Sequence, residues 1–217
     1  SGLRGGTPGR RRGGVREGVA PADARVLAER QSRPLSELVR AINKPSDNAL
    51  TRLLLLALGA ASPGSADEPT LLRGERAVRQ WMRARGIDDT GFVLDNGSGL
   101  SRSERATPAQ LEAVVRAGLA SRWAPEFVAS LPIAGLDGTL RRRFAGTALA
   151  GQARFKTGTL RNVVALAGTM TDASGHPLVV VAMLKSHSGR DAGAERFLLG
   201  NELLIAGAAP GGGSGGI

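Results

Sequence analysis

Ala153-Arg154-Phe155-Lys156-Thr157-Gly158-Thr159-Leu160 is the stretch from which the rest of this chain can be read. Before Gln152 the apolar residues recur at helical spacings of three and four, and from Arg154 onward the period shortens to two. Val163 to Met170 and Leu178 to Leu184 continue that alternation, with Asp172-Ala173-Ser174-Gly175 as a turn between them. The expectation is an antiparallel meander whose first strand carries Lys156, Thr157 and Gly158 side by side.

Upstream the pattern is helical. Pro34, Leu35, Leu38, Val39 and Ile42 predict a short amphipathic helix ending near Asn43-Lys44-Pro45. Ser46 and Asp47 are N-cap residues for a second helix through Leu50, Leu53, Leu54 and Ala57, with Gly59 as its expected stop. Leu71, Val78, Trp81 and Met82 mark a third helix closed by Gly86. Thr107-Pro108-Ala109-Gln110 reads as a capping box with proline at the first helical position, followed by Leu111, Val114, Val115 and Leu119. A short helix is expected around Glu126 to Ala129, and Gly91 to Leu94 as a short strand. Two glycine-rich turns, Asp95 to Ser101 and Ile133 to Leu140, demand special backbone paths. Arg190 to Ala206, with Ala194, Phe197, Leu198 and Ile205 on one side, is expected as a closing helix. The fold class is therefore α+β.

With 217 residues, 41% hydrophobic and 22% charged, the chain can bury a core of ordinary globular composition. Its net charge of +10 raises the question of a polyanion partner. Arg4, Arg10, Arg11, Arg12 and Arg16 all precede the first acid, Glu17, so half the excess sits in an Arg/Gly-rich stretch expected to be disordered over residues 1–20. That stretch has no aromatic side chain to stack on bases, so no nucleic-acid partner is expected. With zero cysteines there is no disulfide framework or thiolate metal site, and His176 and His187 suggest no third ligand. No metal or other cofactor is called for. The apolar run from Leu53 to Ala61 is too short to span a bilayer, no signal peptide opens the chain, and residues 208–217 read as a flexible Gly/Ser tail.

Chemistry concentrates in two motifs, Ser46-Asp47-Asn48 and Lys156-Thr157-Gly158. A serine acyl-transferase needs a nucleophile, a base, a shuttle that delivers a proton to the leaving amine, and donors for the oxyanion. Lys156 and Thr157 can bind a substrate carboxylate by charge and hydroxyl, Gly158 lets a substrate backbone come close, and Thr159 can lend its N–H to an oxyanion. Singly, Ser-x-Asn usually means only a helix cap, and Lys-Thr-Gly only a strand end. Their order and context, serine opening a helix and lysine on the first strand of the meander, argue that they act together.

The pair sits among longer signatures. These are Ile42-Asn43-Lys44-Pro45-Ser46-Asp47-Asn48, Asp95-Asn96-Gly97-Ser98-Gly99-Leu100-Ser101-Arg102, Leu131-Pro132-Ile133-Ala134-Gly135-Leu136-Asp137-Gly138-Thr139-Leu140 and Phe155-Lys156-Thr157-Gly158-Thr159-Leu160. On them the chain resembles the class C low-molecular-mass penicillin-binding proteins, serine-type D-alanyl-D-alanine carboxypeptidase/endopeptidases. The resemblance implies a partial penicillin-binding-protein/β-lactamase-like transpeptidase fold over residues 21–207, a helical subdomain plus a C-terminal sheet with a closing helix. It implies Ser46 as proton shuttle, Asn48 as a contact to the substrate peptide, Lys156 and Thr157 as the carboxylate site, and Thr159 N–H in the oxyanion hole. The glycine turns are structural supports. The implied partners are peptidoglycan stem peptides and β-lactams, and the implied location is periplasmic or extracytoplasmic.

One family element is missing. The lysines are Lys44, Lys156 and Lys185, and three residues before them stand Ala41, Ala153 and Ala182, so the 217 residues contain no Ser-x-x-Lys. Residue 1 is accordingly expected to correspond to the middle of a longer protein, and the chain alone to be inactive. The resemblance also implies an N-terminal strand beside Leu178 to Leu184. Without it that strand becomes an apolar edge, and the isolated chain is expected to be marginally stable or to self-associate through it. Two other readings stay open: a non-catalytic remnant that binds peptide or peptidoglycan, and, more weakly, a basic nucleic-acid binder.

Overall fold

The computed structural model describes residues 18–185 except 20, 66, 161 and 173. The Arg/Gly-rich start through residue 17, His187, the expected closing helix and the tail 208–217 lie outside the described residues. Contacts divide the chain into two units, residues 1–32 and 33–217. In the described part of the first, Ala24 N–H closes a turn onto Pro21 C=O, and Val19, Val26 and Leu27 stand in solvent.

The second unit opens with α1 (Leu35–Asn43), which buries Ile42. Then come α2 (Asn48–Ala61), with the Asp47 side chain accepting Leu50 N–H as its N-cap, and α3 (Thr70–Arg83). Gly59 does not end α2 as its type suggested. The helix runs on to Ala61 because Gly59 is the point where α3 presses closest: a β-carbon there would collide with the Thr70 carbonyl. Gly74 answers from α3, where a β-carbon would lie 2.6 Å from the Leu55 carbonyl. Two glycines thus let two backbones touch. Beyond α3, Asp89 is held by Arg79 and Arg83, and Gly86, at φ +67, turns the chain as expected.

The expected strand at residues 91–94 reduces to a single bridge, Val93 to Arg105. Gly91 at φ +69 breaks the extended path on one side, and the glycine turn, with Gly97 and Gly99 also left-handed, takes over on the other. α4 (Pro108–Leu119) has the capping box: Thr107 Oγ1 accepts Gln110 N–H, and Gln110 Oε1 accepts Thr107 N–H. The buried Gln110 amide also donates to the carbonyls of Asp88 and Thr90, so one side chain caps a helix and fastens the preceding loop. α5 (Ala124–Ser130) completes the helices and packs on α1.

The meander is present as β1 (Ala153–Leu160), β2 (Val163–Thr171) and β3 (Pro177–Lys185), in the order β1-β2-β3 with both pairs antiparallel. Phe155 faces Gly168, which faces Val180. Gly168 is required there, since a β-carbon would strike the Arg154 carbonyl and sit 2.9 Å from the Phe155 Cα. One face of the sheet forms the core with Ala134, Leu140, Phe144 and Leu149 from the preceding loop, and the rings of Phe144 and Phe155 lie 6.3 Å apart. Each fully buried apolar side chain here is worth roughly 1.5–3 kcal/mol. The loop therefore belongs to the core and is not draped over it.

Candidate active site

Ser46 stands between α1 and α2 in an unusual conformation. Asp47 N–H reaches back to the Ile42 carbonyl at 2.9 Å, the closing bond of a Schellman turn, and this puts Ser46 at φ +63 in the left-handed position that normally takes glycine. A serine held there carries strain of order 1–3 kcal/mol. Its hydroxyl is turned toward the sheet, where Lys156 Nζ donates to Ser46 Oγ at 2.7 Å across 110 residues of sequence.

Lys156 lies on β1 opposite Ala167. Its Nζ also donates to the Thr157 carbonyl at 2.7 Å. Burial pushes its amine below the ordinary lysine range. Thr157 Oγ1 and Thr139 Oγ1 are 2.9 Å apart. At Gly158 a β-carbon would meet nothing within 4 Å, so the strand faces open space there.

The free edge of β1 follows from its pairing. Phe155 N–H bonds to the Pro132 carbonyl and Ala153 C=O accepts Ala134 N–H, both away from β2. By the alternation of a pleated strand, the N–H groups of Thr157 and Thr159 point the same way, past the end of that short pairing. A cleft of about 980 Å³ adjoins this end of the strand, lined by Val93, Ser101, Glu104, Gly158, Thr159 and Met183 among others. Asn48 is turned to the 95–101 loop, where its Nδ2 donates to the Ser98 carbonyl.

The structure thus brings Ser46 and Lys156 into direct contact and puts Thr157, Gly158 and Thr159 along one open edge. Asn48 is joined to them through its helix and engages the glycine turn. Sequence reasoning missed three participants. Lys44 Nζ donates to the Leu131 carbonyl and to Asp137 Oδ2, each at 2.6 Å, and Asp137 Oδ1 accepts Ile133 N–H at 2.7 Å. Burial opposes the Asp137 charge, but the bonds from Lys44 and Ile133 outweigh it and hold the carboxyl below its usual pKa. Thr139 N–H donates to the Lys44 carbonyl at 3.0 Å. Gly138, at φ +56, lies under that same carbonyl: a β-carbon would come within 2.5 Å of it and 3.1 Å of Pro132 Cβ. The available signal was a lysine two residues before Ser46 and a lone aspartate in a signature otherwise apolar or glycine-rich. Among the described residues no cluster of His, Asp or Glu could hold a metal ion.

Known proteins share this arrangement of sequence and fold. A D-alanyl-D-alanine carboxypeptidase of Actinomadura sp. is 34% identical over 186 residues, covering 82% of this chain and 34% of that protein. Penicillin binding protein 4 of Haemophilus influenzae, solved in complex with a β-lactam, superposes with a TM-score of 0.66 at 30% identity, over 79% of this chain and 40% of that one. A β-lactamase of Sphaerobacter thermophilus shares the fold alone, with a TM-score of 0.53 at 24% identity over 84% of this chain and 65% of that one. The chain spans about a third of the length of the curated relatives it matches. These likenesses, and a sequence match to the family that runs over residues 7–197, lead to one assignment: the chain belongs to the D-Ala-D-Ala carboxypeptidase 3 (S13) family.

Proposed function

We propose that this chain forms the Ser-x-Asn and Lys-Thr-Gly side of a serine-type D-alanyl-D-alanine carboxypeptidase/endopeptidase that cleaves peptidoglycan stem peptides through an acyl-enzyme. The observation that carries this reading is the Lys156 Nζ to Ser46 Oγ bond, which joins two motifs far apart in sequence at the edge of an open strand. In acylation, Ser46 passes its proton to the leaving amine and regains one from the Lys156 ammonium, which is made good by the proton that the attacking hydroxyl gives up as the acyl bond forms. Thr157 receives the substrate carboxylate and Gly158 leaves room for the substrate backbone. Thr159 N–H, on the outward parity of β1, stabilises the oxyanion. Asn48 keeps its amide oxygen for a substrate N–H while its nitrogen holds the glycine turn.

The same cleft takes β-lactams, whose ring amide stands in for the scissile peptide bond and opens as it acylates the nucleophile, and the reaction belongs to an extracytoplasmic compartment, where peptidoglycan lies. The nucleophile is not among these 217 residues, so the chain alone binds without turnover. A fluorescent penicillin tests this: the 217-residue chain should take up no covalent label, and a labelled band surviving denaturation would overturn the reading. A non-catalytic peptide-binding role is the second reading, favoured by the intact Ser46–Lys156 contact in a chain without Ser-x-x-Lys. It predicts reversible binding of a D-Ala-D-Ala-ended peptide and no chemistry in any longer form. We also propose that two copies associate through β3, whose outer edge has no partner among the described residues.

A further inference from the structure

The contact between Ser46 and Lys156 is made by one long side chain reaching a strained turn. What holds the turn in place is the loop of residues 131–140. The end of α1 is fastened to the end of α5 and then to that loop: Asn43 Nδ2 donates to Ser130 Oγ at 2.9 Å, Lys44 Nζ reaches Leu131 C=O and Asp137, and Lys44 C=O accepts Thr139 N–H. The loop is fastened in turn to β1 by Phe155 N–H on Pro132, Ala134 N–H on Ala153 and the Thr139–Thr157 hydroxyl pair. Apart from the Lys156 side chain, the hydrogen bonds that link the Ser46 turn to β1 run through it.

We propose that Lys44 and Asp137 are a positioning pair that clamps the Ser46 turn against Lys156. The Lys44 side chain is 14% exposed and that of Asp137 34%, so the pair gains modestly from Coulomb attraction and bears a desolvation cost. Its distinguishing property is geometric. A carboxylate that accepts from Ile133 N–H on one oxygen and from Lys44 on the other fixes the direction of the lysine stem two residues before Ser46. An apolar pair could fill the same space, but it could not set that direction.

The inference rests on reading Ser46 and Lys156 as the reacting face of the cleft, and it is tested without any turnover. The chain has only three lysines, so protein labelled with isotopic lysine gives three side-chain amine signals, and Lys156→Met assigns one of them by its loss. In the unsubstituted chain burial holds the Lys156 amine below the ordinary lysine range. In Asp137→Asn and in the apolar double variant Lys44→Met with Asp137→Leu, its midpoint should rise toward the ordinary range. Asp137→Glu, which keeps the charge, should restore it. Melting curves run alongside separate placement from stability, since the apolar pair can melt like the unsubstituted protein and still lose the clamp. An unchanged Lys156 midpoint in the folded double variant would overturn the proposal, whatever the penicillin experiment gives.

Discussion

β1 and β3 are the two edges of one three-stranded sheet, and they differ in how each leaves its outer backbone groups. The outer side of β1 is covered by residues 132–134 at its start and is open beyond them, where Lys156 to Thr159 have polar side chains or none. β3 is apolar from Leu178 to Leu184, pairs only with β2 among the described residues, and none of its residues reaches the burial of the alternating positions on β2. The same unpaired N–H and C=O groups line a candidate site on one edge and are a liability on the other. An open edge becomes a site only where another element fixes side chains against it, and the loop at 131–140 does this for β1 alone.

Several substitutions test the contrast. Gly168→Val should cost most, because the new side chain collides with the β1 backbone and unzips the strand that both edges depend on. A loss of about 3 kcal/mol or more is expected in urea unfolding. Val181→Lys puts a charge on the outer strand, and should weaken self-association about tenfold by sedimentation with little change in melting. If β3 is already covered in solution, the variant will sediment like its parent, and the two edges are less different than described. Ser46→Gly relieves the left-handed residue and should gain up to about 1 kcal/mol of stability while removing the hydroxyl that Lys156 bonds. A drop in stability would mean that the hydroxyl contact outweighs the strain.

The smallest effect expected is on pH dependence. Asp137 is depressed, so its contribution is present above the unfolded carboxylate value and is lost as pH falls through the lower folded value, below about pH 4. Lys156 is depressed as well, so the unfolded chain holds that proton to higher pH than the folded one. Stability should therefore rise with pH between the folded value and about pH 10.4. Asp137→Asn should flatten the acid limb and Lys156→Met the alkaline one, in urea midpoints read across pH.

Local patterns made most of this fold legible. Period-two alternation and the turn at residues 172–175 announced the meander, and Thr107 with Gln110 announced α4 almost to the residue. Gly59 misled because composition cannot distinguish a glycine that stops a helix from one that admits a neighbour. The bounds of residues 91–94 misled because three apolar side chains in a row do not show that only one residue will find a partner. At the site, Ser46 and Lys156 were legible through their motifs. The left-handed backbone of Ser46 was not, because serine is rarely put there. The Lys44–Asp137 link was not legible either, because it spans 93 residues and only the folded chain brings its ends together.

Gly138 makes the cleft depend on a missing atom. With Lys44 C=O packed against its α-carbon, the loop acts as a shim of minimum thickness between the helical layer and the sheet. Any side chain added there would thicken the shim and press on the Lys44 carbonyl, two residues before Ser46. The spacing of the candidate site thus leans on a residue that belongs to neither of its motifs.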